Sequence, residues 1–291
     1  MKKEFNLFIY IGLFLIAINI AVWYLIIFPR SISGSELYFL SIGQGDSSLL
    51  LLPPSTSSGQ AGGGEYVKFL IDGGPINGGL NSNLEKILGL DKYIDLVFVT
   101  HPELDHFGGF IELLKNYKIG AILYNGDDRD NNNWAEFNRI ISEKKIVKMA
   151  LVKGDSVIYT ASILKVFNSA NLSANTNDSG LVMGLETDGF KALFTADIGA
   201  AIEKILAQSE NIKSDILKVG HHGSKYSSDL SFLKKVEPKI SVVEVGKNNY
   251  GHPTKEALGR LKEVGSQIFN TYQQGIIKIV KEEGELKVFS L

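Results

Sequence analysis

The segment 100-THPELDHFGG-109 follows the near-continuous β-branched and apolar run 94-IDLVFVT-100 and leads into 107-FGGFIELLKNYK-118. In the latter, Phe110, Ile111, Leu113 and Leu114 recur at helical spacing. The pattern predicts a strand apolar on both faces, a short turn, and a helix. Such a strand needs a layer on each side of its sheet, which points to a layered α/β fold. The turn places His101, Glu103, Asp105 and His106 at i, i+2, i+4 and i+5. At a sheet edge that spacing can direct imidazole and carboxylate heads into one pocket. The turn is also the N-terminal end of the helix, whose free backbone N–H groups favour carboxylates or an anionic substrate. Helix capping by Glu103 and Asp105 is the competing reading. Capping accounts for one acid, but not for two acids flanked by two histidines.

Outward from this segment, 35-SELYFLSIGQGDSSLLLLP-53 reads as two strands joined by a tight turn, and 66-YVKFLIDGG-74 as another strand. Between them, 53-PPSTSSGQAGGG-64 reads as a flexible loop. Further strands are predicted at 119–124, 147–152, 156–167, 181–187, 190–196, 215–219, 239–245, 266–270, 275–280 and 285–290. Helices are predicted at Leu84–Leu88, 134–144, 198–207, 229–235 and 254–263, and a hairpin turn across 187-TDG-189.

The five histidines, His101, His106, His221, His222 and His252, fall in three short segments that begin where a predicted strand ends. That clustering favours a site over isolated polar residues. Asp197 ends the strand of 190-FKALFTADIG-199, where it is either a helix cap or a metal ligand able to bridge two cations. In 216-ILKVGHHGSKYSS-228 an apolar strand stops at His-His-Gly-Ser. Adjacent residues point apart in an extended chain, so one of His221 and His222 is a ligand and the other an acid, base or substrate contact. The working assignment puts His222 on the metal and His221 in the catalytic role. His252, in 248-NNYGHP-253, is a further catalytic or substrate-contact candidate, against the alternative of plain helix entry. Asp46 and Asp72 sit in Gly-containing turns, as turn stabilisers or as carboxylates that orient metal-bound imidazoles.

Cysteine is absent, so disulfides, thiolate metal sites and cysteine nucleophiles are excluded, and a metal would be held by His and carboxylate. A formal net charge of -2 is not the footprint of a general nucleic-acid binder, although the stretch from Lys213 to Lys239 is locally rich in lysine. From Leu7 to Phe28 no residue is charged, and as a helix this run is long enough to cross a hydrocarbon core of about 30 Å. A single-pass anchor over 1–30 and a folded domain over 35–291 follow as expectations. Lys2 and Lys3 before the span place the body on the extracytoplasmic side.

Seven motifs, IGQGDS at 42–47, LIDGG at 70–74, THPELDHFGG at 100–109, NDSGLV at 177–182, FTADIG at 194–199, LKVGHHGS at 217–224 and NNYGHP at 248–253, together resemble the metallo-β-lactamase-fold hydrolases. The resemblance covers about 35–291 and is strongest to the branch found as the C-terminal domain of the competence protein ComEC. It implies an αββα four-layer sandwich with a centre for two divalent metal ions, Zn²⁺ or Mn²⁺, at one edge of the sheets. His101, Asp105, His106, Asp197 and one of His221 and His222 match the family's ligand positions, Asp197 the bridging one; Glu103 joins the candidate ligands and Asp105 is counted as catalytic too. Ser179 and Ser224, inside two of the motifs, are supporting candidates with Asp46 and Asp72.

The chain departs from the family at three places. Glu103 stands where many members carry His and the ComEC branch Asp; Ser41 replaces a common aspartate; and the third-motif histidine of the lactamases has no counterpart, which argues against β-lactamase activity. The expectation is a metal-dependent phosphodiesterase or nuclease acting on single-stranded DNA or another phosphodiester, working beside a separate membrane channel protein. Alternatives are a hydrolase of phosphorylcholine esters, lactones or other small or cell-envelope esters, and a non-catalytic membrane-tethered partner.

Overall fold

Alternation along the strands decides how the layers stack. In 37-LYFL-40, Leu37 and Phe39 join one buried cluster while Tyr38 and Leu40 join another. One strand thus feeds two cores, as a sheet covered on both faces requires. The computed structural model describes residues 10–20, 34–54, 66–129, 131–169 and 175–291.

Residues 10–20 form helix α1. The first half of the body supplies β1 (Glu36–Phe39), β2 (Ser48–Leu52), β3 (Val67–Ile71), α2 (Leu80–Leu88), β4 (Tyr93–Val99), α3 (Leu104–Asn116), β5 (Lys118–Tyr124), α4 (Asn132–Glu143) and β6 (Val147–Ala150). The second half supplies β7 (Ser156–Tyr159), β8 (Ser162–Asn168), β9 (Val182–Glu186), β10 (Lys191–Phe194), α5 (Ala200–Ser209), β11 (Ile216–Lys218), α6 (Leu230–Val236), β12 (Ile240–Val243), α7 (Lys255–Glu263), β13 (Gln267–Asn270), α8 (Thr271–Gln274), β14 (Ile277–Glu282) and β15 (Glu285–Ser290). One sheet runs β15-β14-β1-β2-β3-β4-β5-β6 and the other β13-β12-β11-β10-β9-β8-β7.

Three cores stack between four layers. Leu84 of α2, Phe107 and Phe110 of α3, and Trp134 and Phe137 of α4 close over Leu49, Leu70 and Val97 of the first sheet. Leu50, Phe69 and Phe98 meet Val166, Met183 and Phe194 between the sheets. Leu193, Leu217 and Val243 pack on Leu206 of α5, Phe232 of α6 and Leu261 of α7. Each fully buried side chain of this size contributes about 1.5–3 kcal/mol relative to exposure.

Within each sheet the four strands toward one edge are parallel: β3, β4, β5 and β6 in one, β10, β11, β12 and β13 in the other. Their carboxyl ends gather the loops that carry Asp72, His101, Asp197 and His221-His222.

Local differences from the sequence reading have identifiable causes. The stretch 156–167 is not one strand but the hairpin β7–β8, with Tyr159 paired to Ser162 and Thr160 at φ 52°. No Gly or Asn marks that turn. Helix α3 begins at Leu104 rather than Phe107, so Asp105 and His106 occupy its first turn. Helix α2 starts at Leu80, four residues ahead of the predicted Leu84. The hairpin across 187-TDG-189 is present, with Glu186 opposite Lys191. Among the described residues no helix is long and apolar enough to cross a membrane. Large apolar side chains of α1 are exposed, and the rest of the predicted span, with Lys2, Lys3 and Arg30, lies outside the described residues, as does most of the predicted loop 53–64.

Candidate metal centre

Thr100 follows β4 directly and organises the first set of ligands. Its backbone N–H donates to Asp72 Oδ1 (2.8 Å) and its hydroxyl to Asp72 Oδ2 (2.7 Å). With its one proton committed there, Thr100 Oγ1 accepts from His101 Nδ1 at 2.9 Å. His106 Nδ1 donates to Asp72 Oδ2, also at 2.9 Å. Across the cleft, His222 Nδ1 donates to the carbonyl of Glu244 (2.9 Å). All three buried rings are thereby held with Nδ1 engaged and Nε2 left as the nitrogen that can bind a metal, which is how an acceptor on the far nitrogen fixes a ligand orientation.

Those nitrogens converge. Asp197 Oδ2 lies 3.5 Å from His106 Nε2, 3.5 Å from His222 Nε2 and 3.9 Å from His221 Nε2, and Asp105 Oδ2 lies 3.3 Å from His222 Nε2. Two groupings, His101 with His106 and Asp197, and Asp105 with His106 and His222, each bring one ligand atom per residue within 4.8 Å of the others. His101 Nε2, His106 Nε2 and Asp197 Oδ1 are buried and have no hydrogen-bond partner. Buried polar atoms without partners are costly; here the two imidazole nitrogens share the cleft with Asp197, whose Oδ1 lies 3.7 Å from the Lys218 ammonium. Imidazole and carboxylate donors so placed fit a divalent cation of the Zn²⁺ or Mn²⁺ type.

Backbone contacts set this geometry. Asp197 does not cap α5: Gly199 holds the cap position, and Ala196 at φ 48° turns the chain so that the carboxylate enters the cleft. His221 and His222 are not extended but left-handed, at φ 49° and 52°, in a 3-10 turn over Gly220–Gly223. The rule that neighbours point apart therefore fails, and both rings line the same cavity. They differ in depth, with the His221 side chain 33% exposed and that of His222 3%. The opening, about 440 Å³, is lined also by Gln44, Asn177, Tyr250 and His252.

Glu103 stands apart from the other predicted ligands. It occupies the N-cap position of α3 and lines the cavity, but it joins none of the ligand groupings, and its side chain makes no capping hydrogen bond. Ser179 and Ser224 serve loop geometry: Ser179 Oγ donates to Thr176 O (2.6 Å), and Ser224 Oγ accepts from Tyr226 N (3.3 Å). His252 reaches the cavity on a loop held by Asn248, whose Oδ1 accepts from Tyr250 N (3.0 Å) and His252 N (3.1 Å). Asp46 is buried and lies 3.2 Å from His222 Nδ1 and 3.7 Å from His106 Nδ1.

Sequence reasoning did not single out Thr100, Lys218 or Glu244. The last two are charged residues inside the apolar runs 216-ILKV-219 and 240-ISVVEV-245, where burial demands a partner. Lys218 pairs with Asp46, and Glu244 accepts from Ser47 N at 3.0 Å. Burial, then the nearby Asp46 charge, pushes the Glu244 carboxyl up to about 8.

The field of the site is that of a cation trap. Burial works against charge on His222, yet Asp197 and Asp46 overcome it and raise the ring to about 10. His106 is raised well above its ordinary value against the same desolvation, by Asp197, Asp72 and Asp46. His101, deeply buried and beside His106, is pushed down to about 3. Asp197 falls well below the carboxylate range, since His222 and His106 outweigh its burial. In the metal-free protein, protons on His106 and His222 neutralise the acids, and a bound cation would release them.

A family model described as the metallo-beta-lactamase superfamily matches residues 62–246. The chain is 28% identical over 264 residues to ComE operon protein 3 of Bacillus subtilis (strain 168), a match covering 87% of this chain and 34% of that protein. It is 26% identical over 199 residues to Competence protein ComA of Neisseria gonorrhoeae, covering 67% and 26%. The chain thus spans about a third or less of these relatives. Among solved structures, a long form RNase Z from yeast superposes with a TM-score of 0.54 at 11% identity, covering 86% of this chain and 42% of that one.

Proposed function

We propose, on the premise that the chain belongs to the metallo-beta-lactamase superfamily, that this hydrolase, related to competence proteins, cleaves phosphodiesters with single-stranded DNA as a substrate. The observation that carries the reading is the convergence of His101, His106 and Asp197, with ligand atoms within 4.8 Å of one another and His101 Nε2 and His106 Nε2 buried and unpartnered, beside an open cavity that His101 and Asp197 line. His101, His106, Asp105, Asp197 and His222 would hold two divalent cations, Zn²⁺ or Mn²⁺. Bound there, they supply Lewis acidity toward a phosphoryl oxygen and a water made nucleophilic near neutral pH.

The chain's own residues do the rest. Asp72, Thr100 and the Glu244 carbonyl fix three rings before any ion arrives, so binding needs little reorganisation. His221 and His252 line the open side of the cavity with ring centroids 5.7 Å apart. Burial and the neighbouring His221 and His222 lower His252, so its ring is neutral near pH 7 and able to accept a proton or hydrogen bond. His221, the more exposed ring, is placed to contact substrate or leaving group.

A second reading, hydrolysis of small esters or lactones, draws on the surface charge. Four of the lysines between Lys213 and Lys239 are paired, Lys213 with Glu237, Lys218 with Asp46, Lys234 with Glu263 and Lys239 with Asp215, so that stretch does not form a free phosphate track.

Turnover of single-stranded oligonucleotides, an activated phosphodiester, phosphorylcholine esters and lactones by Mn²⁺- and Zn²⁺-loaded protein decides between them. Cleavage of the oligonucleotide that disappears in His106→Ala is the expected result. A filled metal site with both phosphodiesters intact would sink the nuclease reading. We also read residues 1–30 as a single-pass anchor, 35–291 as an extracytoplasmic hydrolase domain, and a separate membrane channel as a partner, on the strength of the uncharged run Leu7–Phe28 and the competence relatives. Recovery of the full chain from the aqueous fraction of broken cells would refute the anchor.

A further inference from the structure

Lys218, on β11, has a side chain only 3% exposed, amid residues that would otherwise form an apolar strand. Its ammonium donates to Asp46 Oδ2 and to the carbonyl of Ala196 (3.3 Å), and lies 3.7 Å from Asp197 Oδ1. Asp46, Asp197 and His222 bring ligand atoms within 4.8 Å of one another and by themselves constitute a place for a cation. A cation is already beside it, covalently attached to the fold. The two edges of Asp197 are consequently divided: Oδ1 faces the ammonium, while Oδ2 faces His106 Nε2 and His222 Nε2 at 3.5 Å each.

We propose that Lys218 is a tethered cation of the centre, a positioning residue that fills the inner place between Asp46 and Asp197 and confines divalent ions to the Nε2 side of the imidazoles. The inference rests on the metal-binding reading of the same site. Its logic is electrostatic. Without the ammonium, Asp46 and Asp197 carry one more uncompensated negative charge in a buried place, which draws in a dication. Without the Asp46 carboxylate, the ammonium faces Asp197 alone and repels one.

The two substitutions should therefore move affinity in opposite directions, which a purely structural ion pair would not do. Mn²⁺ titration calorimetry and metal counting are to be run on the full chain as wild type, Lys218→Met, Lys218→Arg, Asp46→Asn and the Lys218→Met/Asp46→Asn double variant. Lys218→Met should take up an extra equivalent of Mn²⁺ or bind at least about tenfold more tightly, and Asp46→Asn should bind about tenfold more weakly. The double variant and Lys218→Arg should both stay within about threefold of wild type. Weakening in all variants, or wild-type affinity and stoichiometry in a folded Lys218→Met, overturns the proposal. Should Lys218→Met not fold, the remaining variants decide: a loss in Asp46→Asn that the double variant does not reverse has the same force. A wild type that binds no Mn²⁺ overturns the metal-binding reading itself, and this inference with it.

Discussion

Asp197 faces three imidazoles and an ammonium, so it is where removal of one side chain should matter most. Asp197→Ala is expected to lower divalent-metal occupancy to background and to abolish hydrolysis while the fold persists, checked by elemental analysis beside circular dichroism. Asp72 touches no substrate; it acts by holding His106 Nδ1 and Thr100. Asp72→Asn should weaken metal binding by about 10–100-fold, the range for partners of metal-bound histidines, and leave any residual activity recoverable at high metal concentration. An unchanged metal affinity would show that His106 is held by packing alone.

At the scale of elements, the decisive contact is between the first turn of α3 and the loop after β3. Gly109 approaches so closely that a Cβ there would collide with the Gly73 carbonyl, while Gly73 N donates to His106 O at 2.5 Å and Gly109 N to Gly74 O at 2.8 Å. These bonds fix the helix that carries Asp105 and His106 against the loop that carries Asp72. Gly109→Ala is therefore expected to cost about 1–3 kcal/mol by overpacking and to reduce metal affinity although residue 109 is no ligand. Equilibrium denaturation and metal titration test the two parts separately. Wild-type values in both would mean that the helix can slide without disturbing the site. Most elements were legible because apolar runs and helical spacing record burial directly. The start of α3 was not, because the Pro102 turn and two glycines mask a helix that tertiary hydrogen bonds hold from Leu104 onward.

For the whole molecule, the buried histidines set the pH response. His222 is raised to about 10 in the folded metal-free state, against an ordinary value of 6.5, and His106 is raised too. Their contribution is complete below about pH 6.5 and is lost as pH rises toward 10. His101, lowered to about 3, has the opposite sign: its contribution is complete above about pH 6.5 and is lost as pH falls. The melting temperature of metal-free protein should fall as pH rises from about 6.5 toward 10, the raised Glu244 carboxyl acting in the same direction up to about 8, and metal affinity should rise over the same range as binding displaces the protons. A flat melting profile from pH 5 to 9 would contradict this assignment of charge.

The sequence by itself determined the layered α/β architecture and the exclusion of thiolate chemistry, and it offered His101, Glu103, Asp105, His106, Asp197 and one of His221 and His222 as prospective ligands, because strand burial and ligand chemistry are written in residue type and order. Only the tertiary structure decided which of them meet. The left-handed turn at His221 and His222 brings both rings to one cavity, the position of Glu103 leaves it outside the ligand groupings, and Lys218 and Glu244 join Asp46 beneath the site. Such relations depend on backbone dihedrals and on strands of two stacked sheets bringing their loops to one place, and no local pattern encodes either. The segment 100-THPELDHFGG-109 announced a metal site, and the fold supplied its partners.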